Sequence, residues 1–291
     1  MYKKILITGY TGQLGSDILT KLSNLKKKII IVKKKINFEN IKEISYKLDK
    51  ISPDIIINCA AYTNTETAEK EKRKCNKINH LAVSSIAKYC KKKNKYLIHI
   101  STDYIFNGKA KKITKDTLPR PLNYYGLTKL KSENCIKSSQ CRKLILRIGW
   151  IYSNKKNNFP NKIIDQIKNK NNIYIYTNEI GSPTSVDTVS KFVIQAIRRS
   201  IQGKEIDGVY NLSCTGKVNR VNLSRFILNF FQKKNKIYSK LKVFYSKHKT
   251  TQYRIKRPKN SVFDLSNTTK TFNILIPNWK FELKNFLYKN Y

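Results

Sequence analysis

Tyr125 and Lys129 stand four residues apart in Tyr125-Gly-Leu-Thr-Lys129, and Ser101-Thr102-Asp103-Tyr104 precedes them at the end of an apolar run. On a helix, residues four apart share a face, so this spacing sets the Lys129 ammonium beside the Tyr125 phenol. A free tyrosine titrates near about 10. A neighbouring cation is expected to lower that value toward neutrality, making the phenol a usable proton donor. The Thr102 hydroxyl can bond the same carbonyl oxygen and stabilise a developing alkoxide. Proton transfer to a carbonyl is the chemistry these three imply. In a chain with 18 tyrosines a lone Tyr-x-x-x-Lys says little, and its weight comes from its company.

That company begins at the amino end. Gly9-Tyr10-Thr11-Gly12-Gln13-Leu14-Gly15 follows Ile5-Leu6-Ile7-Thr8 and opens a segment with Leu14, Ile18 and Leu22 at helical spacing. Glycines at such a strand-to-helix turn allow a tight bend, let the main chain approach a pyrophosphate, and let helix and strand pack closely. The helix terminus adds oriented N–H donors. Gly9, Thr11, Gly12, Gln13, Leu14 and Gly15 are therefore the expected cradle of a dinucleotide. After the second strand an acid favours a free ribose 2′-hydroxyl and a basic residue favours a 2′-phosphate. Ile29-Ile-Ile-Val32 runs into Lys33-Lys34-Lys35 with no acid, so Lys33 suggests NADPH, with NADH as the alternative.

These groups need a scaffold that gathers strand ends. Residues 5–8, 29–32, 54–58, 96–101 and 144–149 read as strands, and residues 13–24, 41–48, 81–89 and 125–137 as helices. Continuous apolar strands alternating with helices predict a parallel sheet covered on both faces. Right-handed crossovers make it a doubly wound, Rossmann-type α/β fold. Residues 1–150 are the expected dinucleotide-binding domain, with about 178–215 returning to it. Beyond Trp150 the pattern loosens into Asn-rich and Lys-rich stretches at 154–158 and 168–172. Residues 151–177 and 216–291 are the expected smaller, partly interleaved substrate-binding region.

Among 291 residues, 60 Lys and Arg face 18 Asp and Glu, a formal net charge of +42. Nucleic-acid binding would gather such charge into one patch. Here lysine accompanies Asn and Ile through almost every segment, a compositional bias that coats solvated faces, so no specific nucleic-acid partner is expected. A hydrophobic fraction of 40% with 18 Tyr and 12 Phe excludes a wholly disordered chain. A chain of this length buries roughly 75% of its unfolded surface, enough for a self-sufficient core. Cys59, Cys75, Cys90, Cys135, Cys141 and Cys214 form no Cys-x-x-Cys pair and no metal-ligand spacing with histidine, so reduced thiols are expected. The amino terminus lacks a signal peptide's apolar core, and no apolar run is long enough for a membrane span. A cytoplasmic protein without a membrane partner is the expectation.

The glycine turn, Pro53-Asp-Ile-Ile-Ile-Asn-Cys-Ala-Ala61, Ser101-Thr-Asp-Tyr-Ile-Phe106, Tyr125–Lys129, Arg147-Ile-Gly-Trp-Ile-Tyr152, Asn157-Asn-Phe159, Gly181-Ser-Pro-Thr184, Gly208-Val-Tyr-Asn-Leu212 and Arg257-Pro-Lys-Asn-Ser261 together resemble the extended short-chain dehydrogenase/reductases. Within that group the chain resembles the dTDP-4-dehydrorhamnose reductase family over nearly its whole length. Several segments are generic, whereas 101–106, 181–184 and 257–261 narrow the resemblance. It implies a catalytic set of Thr102, Tyr125 and Lys129, with Tyr125 the acid and Lys129 also holding the nicotinamide ribose. It implies that Ala60, Ala61 and Tyr62 pass beside the cofactor, which carries the redox chemistry. The reaction implied is NADPH-dependent reduction of the C4 ketone of dTDP-4-dehydro-6-deoxy-L-mannose to dTDP-L-rhamnose. Thr102, Asp103, Tyr104, Tyr125, Trp150 and Arg257 are the candidate contacts to the nucleotide sugar. Trp150 would be an aromatic wall and Arg257 a cation for phosphate, with a purely core role as the alternative for Trp150.

Departures from the family pattern are Asn178-Glu179, where Asp-Gln is usual, Asn37, where an acid is common beside the adenosine, and Glu66, where Asp is common. Members of the family can dimerise around a magnesium ion held by acidic side chains. Asp17 and Asp187 fall at two of those positions, but Lys289 falls at the third, and an ammonium cannot coordinate magnesium. No metal site is expected, and a homodimer would be metal-independent, with Lys289 pairing to Asp17 or Asp187. Rival readings are a reductase of another nucleotide-linked 4-keto sugar and a non-catalytic cofactor-binding regulatory subunit on the same fold, as known for a subunit of methionine adenosyltransferase. Retention of both Tyr125 and Lys129 argues against the second.

Overall fold

A computed structural model of the chain describes residues 2–25, 29–155, 158–175, 179–245 and 255–291; Asn157 and Asn178, singled out above, lie outside the described residues. Six strands make one sheet: β1 (Lys3–Thr8), β2 (Ile29–Val32), β3 (Ile55–Asn58), β4 (Tyr96–Thr102), β5 (Arg142–Ile148) and β6 (Gly208–Leu212). Their order is β6-β5-β4-β3-β1-β2, with every pairing parallel. The winding reverses between β1 and β3. Doubly wound sheets bind ligands beyond the carboxyl ends of their strands at such a reversal.

Alternation along the strands divides the core into two layers. Ile5, Ile57, Ile98 and Leu144 face helices Gln13–Ser23 and Val186–Ile201. Leu6, Ile56, Leu97 and Ile145 face Ile41–Ile51, Ala82–Lys92 and Tyr124–Ser138. Side chains cap the helix starts: Asn40 accepts from Glu43 N, Asn123 from Gly126 N and Ser185 from Thr188 N. Helix Gln13–Ser23 differs. Its N-cap is Gly12, with no side-chain bond and no acid in the first turn.

Beyond Trp150 there is more regular structure than the loosened pattern predicts. Phe159–Lys168, Val186–Ile201, Arg220–Lys234 and Trp279–Asn290 are all helices. Their apolar stripes are interrupted by Asn and Lys, as in Trp279, Leu283 and Leu287, the buried residues of the last of them. Val186–Ile201 packs on the main sheet and β6 extends it. The other three enclose a separate core containing Ile163, Ile167, Leu223, Ile227, Leu283 and Leu287. No helix among the described residues is long and apolar enough to cross a membrane. All six cysteines are free thiols.

Candidate active site

The glycine turn is shaped by contacts that only hydrogen can fit. A Cβ on Gly9, whose φ is +67°, would stand 2.6 Å from Ala60 N, and one on Gly15 would stand 2.2 Å from Gly9 O. Gly12 N donates to Gly9 O at 3.0 Å, closing the bend. The uncapped helix start then presents main-chain N–H groups with no side-chain acceptor, a fit for phosphate oxygens. Thr11 and Gly12 are exposed, while Leu14 and Gly15 are buried and can offer only main chain. Gln13 Oε1 accepts from Ser153 Oγ at 2.9 Å and Asn158 Nδ2 at 3.2 Å, and Lys155 Nζ donates to Thr11 O. The region after Trp150 is thereby tied onto the turn.

Ala60, Ala61 and Tyr62 leave the end of β3, half-buried, with the Ala60 main chain against Gly9. Asn79 clamps the Tyr62 main chain, its Oδ1 accepting from Tyr62 N at 2.7 Å and its Nδ2 donating to Tyr62 O at 3.0 Å. Asn79 lies in a π-helical turn, Lys77–Leu81, between α-helices Lys72–Asn76 and Ala82–Lys92. Such turns shift side chains out of the α-helical register and recur at functional sites. Lys33 is exposed just past β2.

Leu97, His99 and Ser101 alternate toward helix Tyr124–Ser138, so this face of β4 turns polar as it nears its carboxyl end. Ser101 Oγ donates to Glu133 Oε1 at 2.6 Å, and Arg147 on β5 grips the same carboxylate through Nε at 3.0 and 3.2 Å and Nη2 at 2.8 Å. Although burial pushes Glu133 up, Arg147 and Ser101 hold it below the usual carboxylate value. Gly126 lets the helix press on the segment after β4, since a Cβ there would meet Tyr104 O at 2.1 Å. The rings of Tyr104 and Tyr125 meet edge to face, 5.5 Å apart.

Lys129 is buried and its Nζ donates to Ile100 O at 2.6 Å, standing 3.1 Å from His99 Nε2. Burial lowers its pKa to about 8, with Glu133 opposing the shift. Tyr125 goes the other way: burial raises it above the ordinary tyrosine value, against the pull of the Thr102 hydroxyl beside it. The expected lowering by Lys129 is therefore corrected, because the ammonium is turned to His99 and Ile100. Tyr125 therefore stays protonated at neutral pH, its phenol a weaker acid than that of a free tyrosine. Thr102 Oγ1 donates to Asp103 Oδ1 at 3.1 Å and accepts from Tyr104 N. Asp103, a candidate substrate contact, is instead placed as a brace. It is 3% exposed, its Oδ2 accepts from Ser261 Oγ at 2.5 Å, and a Cβ on Gly149 would press its carboxyl.

Trp150 adopts a left-handed φ of 51°, uncommon for a bulky side chain and a form of strain seen at functional sites. Its ring lies against Gly181, where a Cβ would come within 2.5 Å. Arg220 covers the ring with its guanidinium 3.5 Å from the centroid, and lies 4.3 Å from that of Phe159. Burial lowers Arg220 to about 10, opposed by Glu179 at 3.7 Å. Arg257 stands 3.7 Å from Glu66 and remains accessible. Sequence reasoning missed Arg220, His99 and Asn79.

Asp17 and Asp187 do not fit a magnesium site. Within the chain Lys21 pairs with both, at 2.5 and 2.9 Å, and Lys191 reaches Asp187 at 2.7 Å. Two ammonium groups already balance the two acids, and that of Lys21 bridges them. Among the described residues no group of three or more His, Cys, Asp or Glu is placed to hold a metal.

A doubly wound sheet with this glycine turn at its switch point is the framework of a dinucleotide-dependent oxidoreductase. A family model described as RmlD substrate binding domain matches residues 3–291, and the chain belongs to that family. It is 28% identical to dTDP-4-dehydrorhamnose reductase of Escherichia coli (strain K12), covering 97% of this chain and 96% of that one. It is similar to the crystal structure of a dTDP-4-dehydrorhamnose reductase from Clostridium acetobutylicum, with TM-score 0.87, 27% identity and 98% coverage of both chains. The Bacillus anthracis dTDP-4-dehydrorhamnose reductase, solved in complex with NADP, aligns with TM-score 0.85 and 29% identity over 100% of both chains.

Proposed function

We propose that the protein reduces the C4 ketone of dTDP-4-dehydro-6-deoxy-L-mannose to dTDP-L-rhamnose with NADPH. The carrying observation is the setting of Tyr125: protonated, on the same helix as a buried Lys129, beside Thr102 at the carboxyl end of β4. The glycine turn holds the pyrophosphate, and Lys33 faces the 2′-phosphate. The bound nicotinamide supplies a hydride; the rest falls to the chain. Tyr125 Oη gives its proton to the ketone oxygen as the alcohol forms, and the Thr102 hydroxyl, turning its one proton from Asp103 Oδ1 to that oxygen, stabilises the charge developing there. Lys129 holds the nicotinamide ribose.

Residues 151–177 and 216–291, with Tyr104, Trp150 and Arg257, hold the nucleotide sugar. Kinship with dTDP-4-dehydrorhamnose reductases along the whole chain supports this substrate. The test is NADPH and NADH oxidation with a panel of nucleotide-linked 4-keto sugars. Turnover is expected with the dTDP-linked ketone and NADPH. Turnover of another 4-keto sugar alone would reassign the substrate, and none with any of them would reject the reductase reading.

A further inference from the structure

His99 is wholly buried in β4, and the reaction proposed above gives it no task. Its Nε2 stands 3.1 Å from Lys129 Nζ and 3.2 Å from Ser132 Oγ. Its Nδ1 stands 3.1 Å from Asn58 Nδ2, and Asn58 Oδ1 accepts from Thr8 Oγ1 at 2.7 Å. Thr8, Asn58, His99 and Lys129 form one chain across β1, β3 and β4 beneath helix Tyr124–Ser138. An ammonium has protons to donate and no lone pair. Lys129 gives one to Ile100 O, so the next, aimed at the ring, needs an unprotonated Nε2. Ser132 does not compete for that lone pair, because its hydroxyl donates to Lys129 O at 2.6 Å. A neutral His99 beside a charged Lys129 therefore carries its proton on Nδ1. A half-turn of the Asn58 amide then offers its oxygen to Nδ1–H and its nitrogen to Thr8, leaving the heavy-atom contacts in place.

We propose that His99 is a positioning residue for Lys129: Nε2 and the Ile100 carbonyl together hold the ammonium, whose charge selects the Nδ1–H tautomer, and Asn58, turned to present its oxygen and steadied by Thr8, accepts the Nδ1 proton. The proposal rests on the reading of Lys129 as the ammonium of a reductase site. Burial, with Lys129 adding to it, keeps the imidazole well below ordinary histidine values, so it remains a neutral acceptor. The other titratable groups facing Lys129 are Glu133 one turn on, Cys59 after β3 and Cys75 from helix Lys72–Asn76, with Arg147 compensating Glu133. Among the described residues none of them reaches Nζ at hydrogen-bond distance. Removing Nε2 leaves a buried ammonium with one partner, and its proton affinity falls.

Nitrogen-15 histidine NMR of the full chain tests the tautomer, with the His99→Gln spectrum separating His99 from His80 and His248. At neutral pH the expected state is a neutral ring protonated on Nδ1; an Nε2–H ring or an imidazolium overturns the proposal whatever the enzyme turns over. The pH profile of kcat tests the consequence. His99→Gln offers an amide oxygen near the place of Nε2 and is expected within about threefold of the wild type across the range. His99→Leu is expected to move the alkaline limb, set by the Lys129 ammonium, down by about one pH unit. A His99→Leu profile lying on the wild type overturns the proposal, as does a His99→Gln limb moved as far as that of Leu. Should His99→Leu not fold, the tautomer and the His99→Gln profile decide. A wild type that turns over no ketone sinks the reductase reading, and the tautomer still decides for His99.

Discussion

Two ionic clusters lie on opposite faces of the sheet, each joining a carboxylate on a helix to a cation. Glu133 and Arg147 are 0% and 4% exposed and joined by hydrogen bonds from Nε and Nη2. Lys21, Asp17, Asp187 and Lys191 are 24%, 28%, 46% and 59% exposed. Solvent makes the difference. Water competes for the second cluster, so each of its pairs contributes only about 0–1 kcal/mol. In the first, losing one partner strands a charge where no water can reach it. That cluster pins helix Tyr124–Ser138 to β4 and β5, and so it places Tyr125 and Lys129.

The largest effect is expected at Glu133. Glu133→Ala is expected to cost about 3–5 kcal/mol in urea unfolding, whereas Glu133→Met with Arg147→Met should recover most of that loss. A single-variant cost near zero would mean that burial does not separate the clusters. Gly181→Ala comes next, since its Cβ must push the Trp150 ring aside. It is expected to cost about 1–3 kcal/mol and to raise KM for the nucleotide sugar while leaving NADPH affinity unchanged. An unaltered KM would remove Trp150 from the substrate wall.

Burial also acts on Lys129, where pH reveals it. Its folded value of about 8 lies below the ordinary 10.5, so between them the unfolded chain binds the extra proton. Stability from this residue therefore rises with pH across that window, and its penalty is fully present below it. Lys129→Met should lack that rise; parallel stability curves for wild type and variant would refute the shift. The smallest effect belongs to the exposed cluster. Asp17→Asn and Asp187→Asn are each expected to change stability by less than about 1 kcal/mol. Sedimentation should show any dimer unchanged by EDTA, and one that dissociates on chelation and returns with magnesium would contradict the Lys21 assignment.

Most elements as far as residue 149 were legible because buried Ile and Leu runs end at Gly, Pro and Asn turns, but helices Thr65–Lys70 and Lys72–Asn76, each with a single buried apolar residue, were not. Even so, helix Ile41–Ile51 continues past Leu48 to a left-handed cap at Ser52, and the π turn holding Asn79 has no signature in its mixed residues. The glycine turn and the placing of Tyr125 and Lys129 on one helix were legible because local spacing carries them, whereas the turn of the Lys129 ammonium toward Ile100 depends on how strand and helix align. His99 was not: one polar residue in an apolar strand reads as an interruption, and its contact with Lys129 depends on how strand and helix align. Arg220 was hidden among 60 basic residues. Its place over Trp150 comes from the pairing of Val218–Asn219 with Ile180–Gly181. The pair Asp17 and Lys21 has the helical i, i+4 spacing, but the reach of Lys21 to Asp187 needed the packing of two distant helices.

In the proposed reaction Tyr125 gives the proton and the cofactor's phosphates are held elsewhere. Its most direct test is kcat for wild type and Tyr125→Phe with NADPH and dTDP-4-dehydro-6-deoxy-L-mannose, alongside the NADPH dissociation constant of each. The account predicts a kcat lower by about a hundredfold to ten-thousandfold, with NADPH affinity within about threefold of the wild type. A Tyr125→Phe enzyme that keeps the wild-type kcat across pH would contradict it.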